Sequence, residues 1–116
     1  MKNQTYRMTL LFDFYGDILT DRQKEFYDLY YNEDLSLAEI AENYGISRQG
    51  VHDNIIRAEA HLQKMEEKTG CVRRYLQSRA AKEIILASVC DLKNHSDPIV
   101  RGAAIKIAEA ASYIEE

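Results

Sequence analysis

The segment LSLAEIAENYGISRQGV, Leu35 to Val51, decides the fold of this 116-residue chain. Ser36 followed three residues later by Glu39 is a capping box: the hydroxyl accepts an amide hydrogen of the first turn, and the carboxylate returns to the serine's own amide. Leu37, Ile40, Ala41 and Tyr44 then share one helical face. Gly45 closes the helix, because a tight interhelical turn needs positive φ, which glycine adopts at little cost. Ile46 plugs the turn and Ser47 caps a second helix. Ala41, small, falls where the two helices cross. A helix, a glycine turn and a second helix set the second across the first, with its N-terminal residues free to enter a major groove.

If Val51 and Ile55 face inward, then Arg48, Gln49, His52 and Asp53 face out. Arginine matches the two acceptors of guanine and glutamine matches the edge of adenine. Ser47, Arg48, Gln49, His52 and Asp53 are therefore the candidate nucleic-acid-binding set. Against it stands a plain solvated face on a scaffold that has kept the fold without the activity. Glu39, Glu42 and Asp53 would also repel phosphates.

Upstream, LTDRQKEFYDLYY (Leu19 to Tyr31) opens on a second capping box, Thr20 with Gln23, and carries Phe26, Leu29 and Tyr30 on one face. Before it, Met8, Leu11, Phe12 and Tyr15 have helical spacing over Thr5 to Tyr15, ended by Gly16-Asp17. Asn32-Glu33-Asp34 is a polar break. Tyr15, Tyr27, Tyr30, Tyr31 and Tyr44 are of a type that stacks on bases, but at helical spacing they suit core and rim packing better.

Downstream, Val51, Ile55, Ala58, Leu62 and Met65 follow one another at steps of four and three, a heptad seam that outruns a small helix-turn-helix. This seam, with an alanine-rich last helix, exposes more apolar stripe than one small core covers, and the expectation is a homodimer joined along it. Gly70 stops the helix. A further helix spans Cys71 to Leu92 with Val72, Leu76, Ala80, Ile85 and Val89 inward. Asp97 as cap and Pro98 at the first helical position start the last one, with Val100, Ala103, Ile107, Ala111 and Ile114 as its stripe. The expected architecture is all-α: a helix-turn-helix domain with a long last helix over 1–68, and a helical dimerisation or partner-binding region over 69–116.

Charge changes sign along the chain. Thr20 to Glu66 holds five basic and ten acidic residues, whereas Lys68, Arg73, Arg74, Arg79 and Lys82 form a run with no acid. Arg74, Lys82 and Arg79 can share a helical face that grips RNA phosphates or an acidic protein surface, or that merely solubilises the region. The sign contrast favours this run slightly over the acidic helix-turn-helix as the place where nucleic acid is held. Other classes recede. Ser36 and Ser47 are accounted for as caps, no histidine is placed to activate them, and Gly45 and Gly50 fit no phosphate loop, so no catalytic, cofactor or metal site is expected. Cys71 and Cys90, on one helix, sit about 28 Å apart at about 1.5 Å per residue, beyond disulfide reach, and read as reduced, buried small hydrophobes. No stretch approaches the roughly 18–20 apolar residues of a membrane span, and no signal peptide stands at the start; the expected location is the cytoplasm.

The helix that begins LTDRQ, joined to the helix-turn-helix, is similar to region four of bacterial sigma factors. Over Leu10 to Glu66 the chain closely resembles the YlxM-like family of small bacterial proteins. That resemblance implies a helix-turn-helix regulator. The family's genes usually lie beside those for the signal recognition particle GTPase (Ffh) and its receptor FtsY, which implies a role in that pathway, with the particle's RNA, DNA or the GTPase as partner. Composition and spacing alone leave open a sequence-specific transcription regulator and a protein-interaction module that keeps the fold only as scaffold.

Overall fold

The computed structural model describes residues 5–114, and residues 1–4 and 115–116 of the two expected domains lie outside that range. Six α-helices follow in order: α1 (Thr5–Tyr15), α2 (Asp21–Tyr31), α3 (Leu37–Tyr44), α4 (Arg48–Thr69), α5 (Cys71–Cys90) and α6 (Pro98–Ala111), with 3-10 turns at Gly16–Ile18 and Asp91–Asn94 and no strand among the described residues. The starts are set by local chemistry. Thr20 and Ser36 each accept the amide of the third helical residue, while Gln23 and Glu39 return to the cap amides. Asp97 caps Pro98 and its neighbours by accepting from Ile99 N. Gly45 and Gly70 end α3 and α4 at φ 63°. Asp34 also lies at positive φ, 56°, in the break before α3, a conformation that a short polar side chain tolerates better than most.

The chain divides into two compact units, Met1–Val72 and Arg73–Glu116. The boundary falls four residues beyond the expected one because Glu66 holds the start of α5 to the first unit. Its Oε1 accepts the Val72 amide at 2.9 Å and the Tyr15 hydroxyl at 2.7 Å, and both Glu66 and Val72 are buried.

In the first unit α4 packs against α1, α2 and α3. Leu11, Phe26, Tyr27, Ile40, Val51, Ile55, Ala58 and Leu62 are fully buried. The heptad seam therefore needs correction. Val51, Ile55, Ala58 and Leu62 are buried in the first unit's own core and Met65 is half-buried beside them, so these four offer no exposed apolar face. The physical reason is that α1 as well as α2 and α3 covers α4, so the long helix has a full set of neighbours. The tyrosines complete this packing: Phe12 stacks on Tyr27 at 5.4 Å, Tyr27 and Tyr31 lie 4.6 Å apart, and Tyr44 meets Phe26 edge-on at 5.0 Å.

The second unit is less densely closed. Val89, Ala104 and Ala111 are buried, but Ala80, expected inward, is exposed. On α6 the buried face is Ala104 and Ala111, whereas Ala103 and Ile107, expected inward, point outward. Neither cysteine is in a disulfide; Cys71 is half-buried and Cys90 is exposed rather than buried. Among the described residues no helix is long and apolar enough to cross a membrane.

Candidate nucleic-acid interface

The first turn of α4 is held from both sides. Ser47 Oγ accepts the Gly50 amide at 3.0 Å, and Asn54 Nδ2 donates to Gly50 O at 2.9 Å one turn further on. A Cβ on Gly50 would stand 3.2 Å from Ser47 Oγ, so glycine gives the capping hydroxyl its room. Below this turn Val51 and Ile55 are fully buried, which fixes the rotation of the helix. Ser47, Arg48 and Gln49 are exposed as a consequence, and His52 and Asp53 lie half-exposed behind them. All five expected interface residues thus fall on one end of one helix.

Arg48, Gln49, His52 and Leu37 line an open recess of about 350 Å³. Leu37, placed by spacing on the face of Ile40 and Ala41, is only half-buried. As the first residue of α3 it stands at the open end of the motif, and that position was the available signal. Gln49 is not idle: its Nε2 donates to Asp53 Oδ1 at 2.9 Å. His52 Nδ1 is buried without a hydrogen-bond partner, 3.6 Å from the same Asp53 oxygen, too far for a hydrogen bond. Of the two, Gln49 alone holds the Asp53 carboxylate, and a base edge that takes over Gln49 would release it.

Many acids of this unit have structural duties. Glu39 is tied back to the Ser36 amide at 3.1 Å, Glu25 accepts from Tyr44, and Glu59 accepts from Tyr31. Arg22, which spacing did not single out, lies over the Phe26 ring at 5.3 Å and the Tyr44 ring at 6.0 Å. The five tyrosines considered as stacking platforms are absorbed into packing: four are buried and Tyr44 is half-buried. Burial and the Glu59 carboxylate push the Tyr31 phenol well above its ordinary range, and burial does the same to Tyr27.

The basic run divides between two helices. Lys68 lies in the last turn of α4, while Arg73, Arg74, Arg79 and Lys82 belong to α5. Along α5, at about 100° per residue, Arg73 and Lys82 fall on opposite sides and only Arg74, Lys82 and Arg79 share a broad arc. Arg73 and Arg74 are exposed; Arg79 is half-buried and stands 3.6 Å from Glu83.

A glycine turn that sets a capped, outward-facing helix end on a closed helical core defines a helix-turn-helix protein. The chain matches, over residues 2–99, the UPF0122 family, described as "Putative helix-turn-helix protein, YlxM / p13 like", and belongs to it. A UPF0122 protein of Acetivibrio thermocellus is 56% identical over 77 residues, covering 66% of each chain. One from Listeria innocua is 52% identical over 77 residues, 66% of this chain and 70% of its own length. One from Geobacillus kaustophilus is 51% identical over 79 residues, 68% of this chain and 72% of its own. The chain spans about two thirds of the length of the first two of these relatives.

Proposed function

We propose that this is a cytoplasmic regulatory protein that binds nucleic acid by laying the first turn of α4 in the major groove of a DNA duplex. The observation that carries this is the exposure of Arg48 and Gln49 on a helix end whose cap and inner face are both fixed. A helix end held in that way presents its side chains to a groove with the backbone already ordered.

The acidic balance of the region weighs less than its count suggests. Glu59 and Glu66 lie about 16 and 27 Å along α4 from Arg48, beyond the Debye length of about 8 Å at physiological salt. Glu39 is bound to its cap. Asp53 remains the acid nearest the reading residues and holds non-specific affinity down, which leaves a larger share of binding to base contacts.

A role in the signal recognition particle pathway is the second reading. It rests on the likeness to YlxM-like proteins and on the exposed Arg73 and Arg74 at the start of α5, which suit RNA phosphates or an acidic face of a partner such as the particle's GTPase. A helix-turn-helix kept purely as an interaction scaffold is the third.

Anisotropy titrations against duplex DNA and a structured RNA at two salt concentrations separate the three. Under the first reading Arg48→Ala and Gln49→Ala each lose about 1–3 kcal/mol of discrimination between sequences, and Arg73→Glu with Arg74→Glu changes little. The second reading reverses that order, with a steep fall in affinity as salt rises. Absence of binding to either nucleic acid leaves the scaffold reading.

A further inference from the structure

Six of the ten exposed large hydrophobic residues among those described belong to the second unit: Ile84, Leu92, Ile99, Ile105, Ile107 and Tyr113. Ile99 and Ile107 lie on α6, and Tyr113 follows in the turn just past its end, where the chain still winds in the helical sense. At about 100° per residue, Ile99, Ala103, Lys106, Ala110 and Tyr113 fall within an arc of about 80°, with Ile107 at its margin. Ile99 is 81% exposed, Tyr113 86% and Ile107 44%. The other side of the helix, Ala104 and Ala111, is already buried. Among the described residues this outer stripe is exposed, and most of it lies beyond residue 99, where the family match ends.

We infer that this stripe is the contact surface for a second copy of the chain, paired α6 to α6 in antiparallel fashion. The stripe is complementary to itself. Around a twofold axis near Lys106 and Ile107, Ile99 meets the other copy's Tyr113, Ala103 meets Ala110, and Lys106 comes beside Glu109. The midpoints of these three pairings agree to within about two residues, roughly 3 Å along the axis. Small residues opposite small ones let two helices approach near the close end of the usual 8–10 Å. The large residues at the two ends then close the seam, and the lysine stem adds apolar cover while its ammonium reaches the rim. Lys106 and Glu109 are exposed and have no ion-pair partner among the described residues. A copy of the same chain supplies each with its opposite charge, twice, by symmetry. An unrelated apolar partner would offer neither charge a counterpart.

Sedimentation equilibrium of the full chain at tens of micromolar tests this, with circular dichroism to confirm helicity. The wild type is expected as a dimer. Ile107→Glu places two carboxylates near the axis and is expected to yield a folded monomer. Lys106→Glu replaces two attractive contacts by two repulsive ones and weakens association on the order of tenfold. Adding Glu109→Lys to Lys106→Glu restores association, while circular dichroism shows the same helicity in the wild type and both variants, which separates the contact between copies from the i,i+3 pair within one helix. A monomeric wild type overturns the proposal, as does a dimer indifferent to Ile107→Glu or a charge swap that fails to rescue.

Discussion

The hydroxyl of Tyr15 donates to the buried carboxylate of Glu66 at 2.7 Å, joining the end of α1 to the end of α4. The same carboxylate oxygen receives the Val72 amide, so one side chain closes the first unit and starts the next helix. Thr69 adds a further short contact to the Tyr15 hydroxyl. Burial, followed by the Glu66 contact among the causes that raise it, pushes the Tyr15 phenol above its ordinary value. Glu66→Leu leaves the Val72 amide buried without an acceptor and the Tyr15 hydroxyl with Thr69 alone, and is expected to cost about 2–5 kcal/mol, whereas Tyr15→Phe costs about 1–3 kcal/mol. Urea unfolding of the two variants measures the difference, and equal losses would contradict the shared-acceptor role.

Gly45 needs glycine for its backbone, not for space. Its φ is 63°, and a Cβ there would meet nothing within 4 Å. Gly45→Ala is therefore expected to lose about 1 kcal/mol, and Gly45→Asn less, because asparagine enters the left-handed region more readily. Thermal unfolding midpoints in the order glycine, asparagine, alanine are the expected result.

Alkaline stability follows from the buried phenols. Tyr27 and Tyr31 have folded pKa values raised far above the ordinary 10, by burial first and by Glu59 in addition. The unfolded chain loses these protons near pH 10 while the folded chain keeps them, so stability is whole below that point and falls as pH climbs toward the raised values. Absorbance at 295 nm should show these two phenols ionising together with the loss of far-ultraviolet ellipticity. Ionisation of all eight tyrosines before any loss of helix would contradict the burial described here.

Asp53 sets the level of non-specific binding. It holds Gln49 at 2.9 Å and carries the negative charge nearest the reading residues. Asp53→Asn should keep the hydrogen bond while removing a repulsion worth about 1 kcal/mol at short range in water. Affinity for random duplex is expected to rise a fewfold, with the gap between specific and random sites narrowed.

The parts of the fold that could be read in advance are those whose causes lie within four residues. Thr20 with Gln23, Ser36 with Glu39, Gly45, Ser47, Gly70 and Asp97-Pro98 each act on their own helix end, and the described boundaries follow them. What stayed hidden is non-local. A stripe such as Val51, Ile55, Ala58 and Leu62 looks the same whether its own helices or another copy cover it, and α1 decides the matter from more than forty residues away. The facing of α6 is not legible in the sequence, because alanines occur all around it and Val100, Ala103 and Ile107 fit a stripe as well as Ala104 and Ala111 do. Glu66 counted as one more acid; its burial depends on Tyr15, 51 positions distant. The outward set at the start of α4 followed from the inward set by subtraction, but the claim of Asp53 on Gln49 required side-chain geometry.

The most direct test of the central claim is an amide-resolved NMR titration of the full chain with a DNA duplex, and in parallel with a structured RNA. At 13.4 kDa the chain suits the method. The expected result is that duplex DNA shifts the amides of Ser47 to Asp53 and the Arg48 and Gln49 side-chain signals, leaving Arg73 to Lys82 nearly unmoved. Shifts confined to the start of α5, or none with either nucleic acid, would contradict it.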